Sequence, residues 1–224
     1  VIKFAPEGYP FILGSLFITV TDSIFLIWKW ELGSYDFSFY FLLLNSCLFF
    51  GLTIFMAFFF RDPERKIPEG NGIFVSPADG KVILIRDIFE KDHLKADTKE
   101  ISIFMSPLDV HVNRAPCEGN VSVIKHSPGR FMAAYKDDAS IKNENIVMVL
   151  NGKYGEILIR QVAGFLARRA VCRVSEGDFL KMGERYGMIK FGSRLDIYLP
   201  KDITIKVNLG DKVKAGESVI GGIE

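Results

Sequence analysis

Residues 37–60 run for 24 positions without a charged side chain, and nine of them are Phe. At 1.5 Å per residue a helix of that length reaches about 36 Å, enough to cross the hydrocarbon core of a bilayer with some tilt. A core helix of a soluble domain is seldom so long, so the pattern predicts a transmembrane span. Pro10 to Trp28 is a second apolar run of 19 residues, interrupted by Asp22. It lacks the basic start and the small-residue cleavage site of a signal peptide. Trp28 and Trp30 close it, as aromatic residues do at a membrane boundary. Residues 1–60 are therefore expected to be a membrane anchor, a helical hairpin with segments at about 10–28 and 37–60.

The charge pattern divides the chain. Residues 1–60 hold 13 of the 20 Phe and only six charges, Lys3, Glu7, Asp22, Lys29, Glu31 and Asp36. The whole chain carries +1, which leaves residues 61–224 at +3, too little for a nucleic-acid binder. A hydrophobic fraction of 49% excludes disorder. Three cysteines (Cys47, Cys117 and Cys172) are too few and too scattered for a disulfide framework or a zinc knuckle. Free thiols suit a reducing compartment. After the second span, Arg61-Asp62-Pro63-Glu64-Arg65-Lys66 sets three basic residues beside the membrane, whereas the connection near Glu31 to Asp36 carries one Lys and two acids. The basic bias places residues 61 onward on the cytoplasmic side of the cell membrane.

Beyond Pro68 the signals become those of short strands. Gly80–Ile85, Glu100–Met105 and Leu108–Asn113 read as strands; in the last, Leu108, Val110 and Val112 alternate with Asp109, His111 and Asn113. Further strands are expected at 120–126, 146–151, 155–162, 195–199 and 203–207. A short helix is expected near Gly164 to Cys172, and a polar loop at Lys136 to Glu144. Many short strands with glycine-rich turns point to a barrel or sandwich. A repeat sharpens this: V-x-x-G-D-x-x-x-x-G-E occurs from Val174 to Glu184 and again from Val207 to Glu217. Each copy reads as a strand, a Gly-Asp turn, a short strand and a Gly-Glu turn. The pattern resembles the halves of biotinyl and lipoyl carrier domains. A carrier would present an acceptor Lys at the hairpin tip between the copies, and here Phe191-Gly192-Ser193-Arg194 stands instead. The fold expected is mainly β, a carrier-like barrel-sandwich core with short helices, preceded by the helical hairpin.

Gly192-Ser193 alone is an ordinary turn pair. Its company is more specific: Ser76-Pro-Ala-Asp-Gly80, Met105-Ser-Pro-Leu-Asp-Val-His-Val-Asn-Arg-Ala-Pro116, Ala163-Gly-Phe-Leu-Ala-Arg-Arg169, and Tyr186-Gly-Met-Ile-Lys-Phe-Gly-Ser-Arg-Leu-Asp-Ile-Tyr-Leu-Pro200. Together, from about Phe60 to the C-terminus, these resemble the phosphatidylserine decarboxylase family in its short form, which includes enzymes acting on archaetidylserine. The resemblance implies a proenzyme that cleaves itself between Gly192 and Ser193, giving a large chain (1–192) and a small chain (193–224). In that chemistry Ser193 Oγ attacks the Gly192 carbonyl, and elimination and hydrolysis leave a pyruvoyl group on residue 193. Only a β-hydroxyl or thiol can make that acyl shift. The pyruvoyl then forms a Schiff base with the serine headgroup and acts as electron sink in place of pyridoxal phosphate. Neither pyridoxal phosphate nor a metal is implied, and the partner is a membrane phospholipid; a homodimer is one assembly the family allows.

The supporting residues follow from the same resemblance. Asp79 matches the family's Ser-Pro-x-Asp-Gly motif, and His111 the first His of its His-x-x-His motif. Arg114 stands where the second His would be, so either His111 serves both processing and decarboxylation or His126 supplies the second imidazole. Arg168, Arg169 and Arg114 are candidates to hold the phosphodiester, with Arg130 and Lys136 behind them. The rival reading is a membrane-anchored carrier-like or adaptor barrel without catalysis, but the coiled-coil heptads of such adaptors are missing. A barrel metallopeptidase would need a His-x-His pair, which His111-Val112-Asn113 does not provide.

Overall fold

The computed structural model describes residues 3–129, 143–164, 170–190 and 193–223. It divides into two compact units, Val1–Pro63 and Glu64–Glu224. The first is a pair of helices, α1 (Tyr9–Glu31) and α2 (Phe37–Phe59), entered through a 3-10 turn at Pro6–Gly8. Both helices are long and apolar enough to cross a membrane. Asp36 caps α2 by accepting from the Phe39 amide at 3.1 Å, and Lys29 reaches back to the same carboxylate at 2.9 Å. At the other end Ala5 N donates to Phe60 O and Asp62 N to Lys3 O, both at 2.8 Å, which closes the base of the hairpin.

What interrupts the first apolar run also explains how the helices pair. Asn45 donates to Asp22 Oδ2 at 2.7 Å, Thr53 donates to Ser15 Oγ at 2.9 Å, and the hydroxyls of Ser23 and Ser46 meet at 3.3 Å. Asp22 is buried in this seam. Small and polar side chains that satisfy each other are what hold helices together where lipid offers no hydrophobic drive. The outer faces are apolar, with Leu13, Phe17, Ile24, Phe37, Leu44 and Leu48 exposed.

The second unit is mainly β, a curled half-barrel sheet with two smaller sheets beside it. Its strands, among the described residues, are β1 (Ile73–Val75), β2 (Gly80–Glu90), β3 (Ala96–Met105), β4 (Val112–Arg114), β5 (Gly119–Ser127), β6 (Asn145–Gly152) and β7 (Gly155–Ala163). There follow β8 (Ala170–Cys172), β9 (Phe179–Leu180), β10 (Arg185–Ile189), β11 (Ser193–Pro200), β12 (Thr204–Ile205), β13 (Lys212–Val213) and β14 (Val219–Gly222). The large sheet runs β13-β2-β3-β11-β7-β6-β5-β9; the small ones are β4-β10-β8 and β1-β14-β12.

The large sheet reads alike from either edge, and the sequence repeat is the reason. Gly177 N donates to Val121 O while Val121 N donates to Asp178 O; Gly210 and Asp211 do the same with Val82. Gly183 N bonds Ala115 O, and Gly216 N bonds Ser76 O. The duplication thus extends to Ser76–Val82 and Ala115–Val121, which cross-connect through Arg114 N to Pro77 O and Val75 N to Pro116 O. Gly80 is needed where β2 starts: its φ is +156°, and a Cβ would lie 2.2 Å from the Phe104 carbonyl oxygen. Gly80→Ala is expected to cost about 3 kcal/mol through forced overpacking, read as a lower urea midpoint.

Three expectations need correction. Leu108–Asn113 is not a strand: Ser106 to Asp109 forms a turn, closed by Asp109 N donating to Ser106 O and by Ser106 N donating to the Asp109 carboxylate at 2.8 Å. Leu108 is exposed there, and pairing begins only at Val112. The helix expected near Gly164 to Cys172 ends in strand β8 at Ala170–Cys172; residues 165–169 lie outside the described residues, as does most of the loop expected at Lys136 to Glu144. Finally, β10 and β11 do not form a hairpin. β10 pairs with β4 and β8, whereas β11 lies between β3 and β7 in the large sheet.

Candidate active site

Because β11 sits in the middle of the sheet, its first residue is buried rather than presented at a tip. Ser193 is fully buried, with Met105 opposite on β3 and Ala163 opposite on β7. Its hydroxyl donates to the Met105 sulfur at 3.3 Å. Gly192 itself lies outside the described residues.

The opposite face of β11 fixes the strand. Arg194 is buried against Asp196, donates to Ser102 Oγ at 2.8 Å and lies 3.6 Å from Glu100. Tyr198 donates to Glu100 at 3.1 Å, and Arg86 and Arg160 extend the network to Glu100 and to the Tyr198 hydroxyl. Buried charges satisfied this fully hold one geometry. With eight residues in register against β3, β11 needs no peptide bond before Ser193 to stay in place.

From Met105 the chain turns through Ser106–Asp109 and delivers His111 fully buried. His111 Nδ1 lies 3.0 Å from the Asp109 carbonyl oxygen. A carbonyl only accepts, so Nδ1 carries the proton and Nε2 is the basic nitrogen. Beyond it Asn113, also buried, accepts from Gln161 Nε2 at 2.9 Å.

Asp79 precedes the start of β2 and is almost fully buried. Arg65 donates to both its oxygens at 2.9 and 2.7 Å, and Ala215 N adds a third bond at 2.8 Å. Burial pushes its carboxyl above the usual range, with the Asp109 charge adding to this, while Ala215 N and Arg65 pull the other way.

The structure does not bring every sequence candidate to Ser193. His126 is exposed on β5 and pairs with Glu144 at 3.3 Å. Through Ile146 and Gln161 it lies three strands from Leu195 of β11, about 14 Å along the sheet. Arg114 donates to the Gly183 carbonyl at 2.9 Å, and its stem lies against Gly216, so it joins the two repeat turns. Arg168, Arg169, Arg130 and Lys136 lie outside the described residues. Conversely, Arg65, Met105 and Gln161 were not singled out from sequence. Gln161 left a signal: it is polar on the face that carries Ile157 and Ile159. Burial pushes the Cys117 thiol up to about 12 and raises Cys172, which keeps both protonated at neutral pH.

Comparison with known proteins decides the family. The phosphatidylserine decarboxylase family model matches residues 52–221. The chain belongs to the phosphatidylserine decarboxylase family. It is 45% identical to the phosphatidylserine decarboxylase proenzyme of Syntrophus aciditrophicus over 97% of this chain and 96% of that one. The proenzymes of Geobacter metallireducens and Desulfotalea psychrophila are 43% and 41% identical, over 97% and 99% of this chain and 95% and 97% of theirs. Such similarity across nearly the whole length favours an enzyme of this family over a non-catalytic adaptor or carrier barrel.

Proposed function

We propose that this chain is a self-processing carboxy-lyase that converts phosphatidylserine, or its archaetidylserine counterpart, to the ethanolamine phospholipid and CO2. The observation that carries the reading is Ser193, buried at the first rung of a strand that its neighbours hold independently of residue 192. Burial of Ser193 keeps bulk water from an ester formed at its Oγ, so acyl transfer competes with no simple hydrolysis. His111, basic at Nε2, accepts the Ser193 proton and can return one to the product carbon. Asp79 acts as a positioning carboxylate: gripped by Arg65 and Ala215 N, it fixes the start of β2 beside the end of β3.

The surroundings of residue 193 fit a pyruvoyl group, since Met105 and Ala163 offer a dry, largely apolar cradle. What that group supplies is an electron sink for an amine-bearing carboxylate substrate. The chain's own part is to exclude water, hold the strand and place the imidazole. Arg168 and Arg169 are assigned to the phosphodiester. The precursor divides into chains 1–192 and 193–224, and residues 1–60 anchor the enzyme with its catalytic unit on the cytoplasmic side. Arg61 and Lys66 support that side; Arg65 does not, being held by Asp79.

His111→Ala separates the two chemistries. If His111 is the base for both, the variant stays largely uncleaved on denaturing gels, slower by about 100-fold or more. Decarboxylation by any cleaved fraction falls as steeply. Cleavage at the wild-type rate would remove His111 from processing.

A further inference from the structure

Along the inner face of the sheet the side chains are apolar rung after rung: Ile101 and Ile103 on β3, Leu195 and Ile197 on β11, Ile157 and Ile159 on β7. Next to the last rung, Met105–Ser193–Ala163, the pattern breaks at Gln161, which faces Leu195. Gln161 donates to Asn113 Oδ1 at 2.9 Å and to the Val171 carbonyl at 3.3 Å. Asn113 Nδ2 points at the Met105 sulfur, 3.9 Å away, and the Ser193 hydroxyl donates to that same sulfur at 3.3 Å. Two buried donors share one thioether, and the carboxamide pair fixes where the sulfur sits. In the other half the pair that corresponds to Met105 and Ser193 is Gly152 facing Gly155, with no side chain on either.

A thioether is an unexpected partner for a buried hydroxyl, because any oxygen acceptor would bind it more strongly. What residue 193 must become gives the reason. Oγ bonds to the Gly192 carbonyl carbon as the peptide C–N bond breaks. The Cα proton then leaves, its electron pair forms the Cα=Cβ bond, and the Cβ–Oγ bond breaks so that oxygen departs in the Gly192 carboxylate. Cβ takes up a proton, water adds at Cα and ammonia leaves. Cβ has gone from bearing a hydroxyl to being a methyl group. An oxygen acceptor at 105 would then be buried and unsatisfied, while an aliphatic side chain would leave the hydroxyl unsatisfied beforehand. Sulfur is a weak acceptor with a soft, apolar surface, and it suits both states.

We propose that Met105 is a positioning residue for both states of residue 193, holding the hydroxyl before cleavage and packing on the methyl group after it. The inference rests on the self-processing reading. The test uses the full-length chain in detergent, with Met105→Leu and Met105→Gln beside wild type. Cleavage is timed by electrophoresis and intact mass, and phosphatidylserine turnover is divided by the amount of small chain present. Met105→Leu keeps the volume and loses the acceptor, so cleavage slows about five-fold while turnover per small chain stays within about two-fold. Met105→Gln restores an acceptor and cleaves within about two-fold of wild type, but its turnover per small chain falls about five-fold or more. Leu cleaving at the wild-type rate, or both variants losing both activities in parallel, overturns the proposal. A wild-type chain that never cleaves overturns the self-processing reading, and this inference with it.

Discussion

Ser193→Ala leaves one full-length chain and no decarboxylase activity. Alanine at residue 193 has no oxygen to attack the Gly192 carbonyl, so neither the ester nor the carbonyl that follows from it can form. The substitution removes a hydroxyl whose only described partner is a thioether, so the sheet loses little. Wild type should show two chains on a denaturing gel with no protease added, the smaller one beginning at residue 193 with a mass that fits a blocked N-terminus. Ser193→Thr retains a nucleophile and should cleave slowly. The alanine variant should melt cooperatively and no lower than a few degrees below the processed wild type, which separates lost chemistry from lost folding. A wild-type chain of unmodified mass that still decarboxylates phosphatidylserine would sink the mechanism.

Much of this was legible because the features are local. A run without charge reads as a helix of membrane length, and α2 ends within one residue of the expected boundary. Asp22 looked like a defect in the first span and is instead the partner of Asn45, a pairing that needs both helices to be seen. The two Gly-Asp repeats were visible as spacing, and their turns bond to the strands in the same way in both halves. Long-range pairing was not legible. Alternation at Leu108–Asn113 imitates a strand, but Asp109 folds back on Ser106 and bends the chain. Ser193 read as a hairpin tip because β10 and β11 are adjacent in sequence, and only pairing across some 90 residues to β3 reveals it as buried. His126 has the right chemistry for a site it does not reach, since strand order rather than residue type sets that distance.

Arg65 shows the same limit and carries the second large effect. In sequence it belongs to a basic flank; in the structure its side chain is buried, clamps Asp79 through two bonds and lies 3.5 Å from Glu217. Arg65→Met should destabilise the protein by about 3–5 kcal/mol, because it leaves the Asp79 carboxylate buried beside Asp109 with only Ala215 N to compensate it. Denaturant unfolding in the Ser193→Ala background, where the chain stays whole, measures this. The pH dependence gives a second readout. Asp79 already has a folded-state pKa above its ordinary 3.8, so the native state holds the extra proton and stability falls as pH rises through that window. Without Arg65 the folded-state pKa climbs further, the window widens upward, and the loss between acid and neutral pH becomes steeper. Asp79→Leu added to Arg65→Met should recover most of the stability at neutral pH, since removing both charges leaves neither unpaired. A cost under about 1 kcal/mol for Arg65→Met, or a pH profile parallel to that of the parent, would mean that Asp79 does not depend on Arg65 for its charge.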